Sequence, residues 1–187
     1  MESKKARGLV FMATSIDGFV ARKDHSLDWL MKYPDDGNDK SYEEFIANID
    51  VLVMGSGSFK TVLKFDPWPY TIPVLVMSHS LSQKDIPEAL IGKVEVTRLD
   101  PIQLMESLFK QGNKNAYVDG GKLVQSFISD GLIEEMTITQ IPILIGEGIR
   151  LFGDIKEDID LELLNSRAYG AGFVQNHYRL KTTVRKV

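Results

Sequence analysis

Two stretches decide the fold, Val51–Ser58 (VLVMGSGS) and Ala116–Leu123 (AYVDGGKL), and they share one layout. Each predicts a short buried strand, a glycine turn and the start of an amphipathic helix. Backbone N–H groups at a helix start can face a phosphate, because glycine has no Cβ to block the approach and the helix dipole favours an anion. Two such turns on one sheet indicate a nucleotide cofactor. In a second interpretation, the glycines only allow tight strand-to-helix packing.

The elements around these two stretches predict the fold class. A first strand over Gly8–Thr14 is followed by alternating strands and helices as far as a strand over Glu134–Gln140. Two further strands, Leu161–Tyr169 and Phe173–Leu180, then flank a glycine turn. This order predicts a three-layer α/β fold whose central sheet is mostly parallel with an antiparallel C-terminal edge. The length favours a single domain over residues 1–187.

Composition excludes several classes of function. The chain has no cysteine, which excludes disulfides, thiolate metal sites and cysteine nucleophiles and fits a reducing, cytoplasmic location. Its net charge of −4 argues against nucleic-acid binding. The three histidines lack metal-ligand spacing, so we expect no metal site. The early apolar run Leu9–Ala13 is too short to span a membrane.

Other segments carry candidate chemistry. In Ser15–Gly18 (SIDG), Asp17 either caps its own loop or approaches a ligand, where it is the best side-chain candidate to supply a proton, with water as the other source. Trp29 either packs the long loop or walls a flat ligand. Met77–Ser80 (MSHS) either closes a strand or holds a ribose phosphate. Ile141–Gly148 (IPILIGEG) forms a wide turn or returns towards the glycine sites.

Taken together, these segments resemble a known family. In chain order they read MATSIDGFVA, DVLVMGSGSF, VLVMS, AYVDGGKLVQSFI and PILIGEGIRLF, followed by a terminal hairpin that carries Tyr178. They resemble the dihydrofolate reductase-like superfamily, in particular its branch with the C-terminal reductase domain of the bacterial deaminase-reductase of riboflavin biosynthesis. The resemblance spans nearly the whole chain and rests on the order and spacing of the segments.

The resemblance implies that NADPH lies across the carboxyl edge of the sheet. It implies substrate contacts from Trp29 and Trp68, and a place for Asp17 beside the nicotinamide. The residues that it implies around the cofactor are Ala13, Thr14, Gly18, Gly55, Ser56, Ser58, Phe59, Ser78, His79, Ser80, Gly120, Gly121, Lys122, Leu123, Ile145, Gly146 and Gly148.

The implied function is an NADPH-dependent reductase that transfers a hydride to a small heterocyclic, carbonyl or imine substrate, similar to 5-amino-6-(5-phosphoribosylamino)uracil reductase. A nucleotide-binding module without turnover, a dihydrofolate reductase of low activity and a purely structural domain stay open. The chain departs from the folate-reducing members at Ser56, where they usually have a phosphate-gripping Arg. We also expect a homodimer built on Trp68, Tyr70 and the terminal hairpin.

Overall fold

The computed structural model describes residues 4–33 and 39–181. It contains ten strands, four α-helices and two short 3₁₀-helices, the latter at Gln83–Asp85 and Glu88–Leu90. In chain order the main elements are β1 (Arg7–Ser15), β2 (Phe19–Ala21), α1 (Ser41–Ile46), β3 (Val51–Gly55), α2 (Ser56–Val62), β4 (Val74–Met77), β5 (Val94–Thr97), α3 (Pro101–Lys110), β6 (Asn115–Asp119), α4 (Gly121–Ser129), β7 (Ile133–Ile141), β8 (Ile149–Arg150), β9 (Leu161–Tyr169) and β10 (Phe173–Leu180).

Eight strands form one sheet in the order β5-β4-β3-β6-β1-β7-β10-β9. The strands from β5 to β7 are parallel, whereas β10 runs antiparallel to both β7 and β9. This matches the predicted α/β fold, which is thereby confirmed. The parallel strands end at one common edge, and ligands of open α/β sheets bind outside this carboxyl edge.

Helices cover both faces of the parallel part of the sheet, which explains why its strands read as continuous apolar runs. Val51, Leu52, Val53 and Met54 of β3 are all buried. Val51 and Val53 belong to a core cluster with the apolar residues of α3 and α4, whereas Leu52 and Met54 pack with those of α2. Burial of both faces explains how so short a strand can anchor the glycine turn that follows it.

Aspartate side chains hold the starts of two helices. Asp100 caps α3, because its carboxylate accepts a hydrogen bond of 2.9 Å from the amide of Gln103. Ser41 is the first residue of α1. The carboxylate of Asp39 accepts hydrogen bonds from the Ser41 amide at 3.0 Å and its hydroxyl at 2.9 Å.

A second, two-stranded sheet is absent from the sequence-based prediction. β2 and β8 pair antiparallel, with Phe19 opposite Arg150 and Ala21 opposite Ile149. Both strands are too short to show a period of two in the sequence. Their pairing brings the segment after the Gly-Glu-Gly turn back to the carboxyl edge of the main sheet, next to α4. Within the described ranges, no helix is long and apolar enough to cross a membrane.

Candidate functional site

A cleft of about 950 Å³ opens at the carboxyl edge of the parallel strands. Its floor comes from the ends of β1, β3, β4 and β6, and its two long walls come from α2 and α4. The segment after β2 contributes a third side through Asp24, His25 and Leu27. The volume suits a sizeable organic ligand. Eight of the predicted cofactor residues line it: Ala13, Gly55, Ser56, Ser58, Gly120, Gly121, Lys122 and Leu123.

The turn into α4 is closely packed at both of its glycines. Gly120 has a φ of +100°, and a Cβ there would lie 2.6 Å from the Ser58 hydroxyl oxygen. Gly121 is buried, and a Cβ there would lie 2.4 Å from the carbonyl oxygen of Arg150 in β8. The strand β8, which follows the apolar run Ile141–Gly148, therefore lies against this glycine site. The chain thus returns towards the site directly after that run.

The turn into α2 has the opposite surroundings. Gly55 has an ordinary φ of −80°, and a Cβ added to it would meet nothing within 4 Å. Because Gly55 has no side chain, the cleft wall at this point faces open space, and no neighbouring strand or helix fills that space. Phe59, placed near the cofactor by the resemblance, is fully buried and packs in the core below this turn. The two glycine turns thus look alike in sequence but differ in packing, since a Cβ at Gly121 would collide with β8 whereas one at Gly55 would meet nothing within 4 Å.

A half-buried acid lies on the cleft floor. Asp119 ends β6, and its carboxylate oxygen is 3.4 Å from the Tyr117 hydroxyl, which also donates a 2.8 Å hydrogen bond to the carbonyl of Phe11. Burial raises the pKa of Asp119 above its ordinary value, while the hydrogen bond from Ser58 opposes the rise. Burial also raises the pKa of Tyr117 and Tyr70. Asp119 is therefore a weaker acid than an exposed aspartate, and its place in the cleft makes it a candidate functional group.

Asp17 lies outside the cleft lining. Its carboxylate accepts hydrogen bonds from the amides of Gly146 at 2.7 Å and Ile145 at 3.2 Å. The hydrogen bond from the Ser15 side chain, and then those two amides, lower the pKa of Asp17 below its ordinary value. Asp17 thus holds the Gly-Glu-Gly turn against the end of β1. This contact differs from the predicted capping of its own loop, because the amides that Asp17 binds belong to a turn 128 and 129 residues further along the chain.

The remaining predicted cofactor residues also lie outside the cleft lining. Ser78 is buried, and its hydroxyl oxygen accepts hydrogen bonds from the amides of Ser80 and Leu81 at 3.2 and 3.0 Å. His79 and Ser80 are exposed and do not line the cleft. Met77, the last residue of β4, does line it. At the β1 end, the predicted residues that do not line it are Thr14, Gly18, Ile145, Gly146 and Gly148.

The two tryptophans pack rather than line the cleft. Trp29 is completely buried, and Trp68 is half-buried with its ring edge-on to Phe59 and Tyr70. The indole N–H groups of both find no hydrogen-bond partner among the residues that the structure describes. In the structure Trp29 packs in the core, and Tyr70 rather than Trp68 lines the cleft. Substrate contacts from the two tryptophans stay predictions.

The residues of the cleft that were not identified from the sequence include three with ionisable side chains, Asp119, His25 and Lys60. Asp119 had a usable signal, because it is the acid at the end of a buried strand directly before Gly-Gly. Lys60 lies four residues after Ser56 on the same helix face, which a helical wheel shows. The sequence contains no such signal for His25, because only the folded chain brings His25 next to Gly57. No group of three or more metal-binding side chains occurs within residues 4–33 and 39–181.

Comparison with known proteins identifies the family. The sequence model of the RibD C-terminal domain family matches residues 7–175. The chain belongs to the RibD C-terminal domain family. It is 34% identical to a Shewanella sp. PV-4 protein assigned to riboflavin biosynthesis, whose crystal structure superposes with a TM-score of 0.87 over 94% of this chain and 99% of that one.

Two further relatives show how widely this family fold is used. The uncharacterized protein YwjB of Bacillus subtilis is 28% identical over 172 residues, which is 91% of this chain and 95% of that protein. The riboflavin biosynthesis reductase Rib7 of Saccharomyces cerevisiae shares the fold at 13% identity, with a TM-score of 0.65 over 97% of this chain and 92% of that one. Membership of the family supports a reductase-like role. The identity of the cofactor and of the substrate has to be inferred from the residues of the cleft.

Proposed function

We propose that this protein is an NADPH-dependent reductase that transfers a hydride to a small, flat heterocyclic or carbonyl substrate. The observation that carries the proposal is the cleft of about 950 Å³, which joins two glycine turns to one half-buried acid, Asp119. Membership of the RibD C-terminal domain family supports a reductase-like role. The substrate and the use of NADPH are our inference from the cleft.

The residues of the cleft suit a dinucleotide. Gly55 leaves open space where any other residue would place a Cβ. Across the cleft, α4 begins at Gly121, so its first amides and the positive end of its dipole suit the pyrophosphate. Lys122 adds a cation at the same wall. When bound, NADPH would supply the hydride, and the protein would supply position and electrostatics.

The proton is assigned to Asp119 rather than to Asp17. Asp119 lines the cleft and its raised pKa favours the protonated form, whereas Asp17 is ionised and engaged by two backbone amides. Tyr117 and Tyr70 stand beside Asp119 and give the inner cleft flat, largely apolar walls. Such walls suit a planar ring, which is the basis for preferring a heterocyclic substrate.

A titration of the protein with NADPH, followed by the fluorescence of the bound nicotinamide, tests the cofactor. We expect saturable binding below millimolar concentration. If there is no saturation at millimolar NADPH, the proposal is wrong. A second assay distinguishes a reductase from a nucleotide-binding module without turnover. It follows NADPH oxidation with pterin, pyrimidine and quinone substrates. Turnover of any of them excludes the module, and a low rate with dihydrofolate alone identifies the weak folate reductase.

Location and assembly are part of the same proposal. The lack of cysteine suits a reducing compartment, so we place the enzyme in the cytoplasm. We propose a homodimer through the terminal hairpin, because β9 is an edge strand with Leu161 and Leu163 exposed. Trp68 and Tyr70 are half-buried beside the cleft, so we propose the hairpin rather than these two residues as the dimer contact. Light scattering tests the assembly, and a monomeric mass would contradict it.

A further inference from the structure

The polar groove is a second cleft, on one face of the sheet and away from its carboxyl edge. Its volume is about 480 Å³, which is within the range of small-molecule sites. Side chains of β1, β7, β10 and β9 form its floor, and α1 forms one wall. Arg7 and Glu135 place it near the amino ends of β1 and β7, whereas the cleft of the candidate active site lies at the carboxyl ends of the parallel strands.

Rows of paired side chains cross this face of the sheet, because directly opposite residues of antiparallel strands point to the same side. In one row, Gln175 donates a 2.9 Å hydrogen bond to the Thr139 hydroxyl and accepts one of 3.2 Å from Arg167. In another row, the Glu135 carboxylate accepts a 3.1 Å hydrogen bond from Arg179. The polar side chains of these two rows therefore bind one another.

The row between these two is open to the groove. Thr137, His177 and Asn165 lie opposite one another on β7, β10 and β9, and all three line the polar groove. The His177 ring is 3.0 Å from the Glu135 carboxylate. Within residues 4–33 and 39–181, neither the Thr137 hydroxyl nor the Asn165 side chain takes part in a hydrogen bond. This row therefore presents a hydroxyl and an amide to a ligand.

The α1 wall adds one acid, one amide and one aromatic ring. Glu44 and Asn48, one helical turn apart, both line the groove. Glu44 is exposed and forms no ion pair with the part of the chain that the structure describes. The Asn48 side chain donates a 2.9 Å hydrogen bond to the Glu44 backbone carbonyl, which holds it on this wall. Phe45 lies between them in sequence and packs against Phe11, with ring centroids 5.1 Å apart.

The charges of the polar groove decide which ligand suits it. Its lining includes two arginines and two glutamates, so their formal charges cancel. Arg7, Arg167 and Glu135 are each engaged in ion pairs. An anion would have to displace the partner of an arginine and lie in the same groove as Glu44, and a cation at Glu44 would share the groove with both arginines. A neutral ligand avoids both costs.

Hydroxyl groups match the polar groups that remain. Each hydroxyl both donates and accepts, so adjacent hydroxyls can donate to the Glu44 carboxylate and exchange hydrogen bonds with Thr137 and Asn165. Phe45 supplies apolar surface for the C–H groups of the same ligand. We propose that the polar groove binds a neutral polyhydroxylated compound of monosaccharide size. This site is separate from the candidate active site and does not depend on the reductase function.

Nuclear magnetic resonance titration of the isotope-labelled full chain tests the site. The probes are D-glucose, D-galactose and sorbitol, each with its 6-phosphate as the charged counterpart. We expect at least one neutral probe to bind with a dissociation constant in the millimolar range, as for other ligands of so few atoms. Its phosphate should bind about fivefold more weakly or not at all. The backbone amide signals of Thr137 and Asn165 should shift, whereas those of Ser56 and Lys60 in the cleft of the candidate active site should not.

Substitutions at exposed positions test the contacts without disturbing the core. Glu44→Gln keeps the size of the side chain and removes its charge, and should weaken the best neutral probe about tenfold. Asn165→Ala removes a neutral hydrogen-bonding group and should weaken it about threefold. The matched control is Glu43→Gln, because Glu43 is the adjacent exposed acid of α1 and does not line the groove. E43Q should bind the probe like the wild type.

Several results would overturn the proposal. If no neutral probe saturates at about 100 mM, the groove does not bind this class of compound. A phosphate that binds more tightly than its neutral parent would indicate an anion site instead. Equal affinities of E44Q, E43Q and the wild type would show that α1 does not contact the ligand. Sugar binding that weakens as the protein concentration rises would show that a second copy of the chain covers this face. NADPH titration is independent of all these measurements, so each of these results leaves the reductase proposal intact.

Discussion

The two glycine turns provide the sharpest prediction, because the same substitution should lower stability in one turn and cofactor affinity in the other. In Gly121→Ala, the new Cβ lies 2.4 Å from the Arg150 carbonyl oxygen, 3.0 Å from Ile149 Cγ2 and 3.1 Å from Val20 Cγ2. An ordinary contact needs about 1 Å more at the carbonyl. Gln125 also donates a 2.8 Å hydrogen bond to this carbonyl, so β8 cannot move alone. In Gly55→Ala, the Cβ meets nothing within 4 Å.

The magnitude follows from these contacts. Overpacking of a buried site costs about 1–3 kcal/mol, and obstruction by a backbone atom places Gly121→Ala in the upper half of that range. The gain in helix propensity offsets at most about 1 kcal/mol. The net loss of about 1–2 kcal/mol corresponds to a decrease in Tm of about 2–8 °C for a domain of this size. Gly55→Ala should change the unfolding free energy by less than about 0.5 kcal/mol.

The assay measures two properties of both variants: thermal unfolding by calorimetry and NADPH binding by titration. Gly121→Ala should unfold at the lower temperature. Gly55→Ala should keep the wild-type Tm and bind NADPH about tenfold more weakly, because its methyl group occupies cofactor space. A Gly121→Ala protein with the wild-type Tm would refute the packing argument. A Gly55→Ala protein with unchanged NADPH affinity would refute the assignment of the open turn to the ligand.

Three other variants test single groups. Asp119→Asn should lower kcat about 10²–10⁴-fold in steady-state assays with the folded protein, as expected for loss of a general acid, and the wild-type rate should fall as pH rises through the raised pKa of Asp119. Asp17→Asn should lower Tm at neutral pH. Because the folded pKa of Asp17 is lowered, this difference should shrink as pH falls below about 4 and the wild type loses the same contribution. Trp29→Ala should cost about 3–5 kcal/mol in chemical unfolding, since the side chain is completely buried; a loss below 1 kcal/mol would contradict the packing role.

Strand and helix positions were readable from the sequence because they depend on local patterns. The apolar run before Gly55 and the Asp-Pro start of α3 each contain their own signal, and both are observed. The family resemblance also depended on the order of such segments. It located the two glycine turns correctly at the cleft, because a strand ending in glycines before a helix leaves few alternatives at the carboxyl edge.

Side-chain roles in the site were harder to predict, since partners lie far apart in the chain. The carboxylate of Asp17 engages amides that are 128 and 129 residues away, so the sequence could not distinguish a capping acid from a proton donor. Trp29 could pack or contact a ligand with the same local pattern, and only its burial decides. His25 depends on a backbone conformation that no residue pattern around it indicates.

The central position of β1 has a consequence for how the chain folds. This first strand pairs in parallel with β6, where Arg7 lies opposite Asn115, and with β7, where Val10 lies opposite Met136. Both partners are more than 100 residues away, and closing such long loops makes folding slow. During synthesis, β1 emerges before β6 and β7 and must wait, exposed, for both neighbours. Phe11 and Ala13 of the cleft floor belong to this strand, so the floor is complete only after β1 has paired with β6.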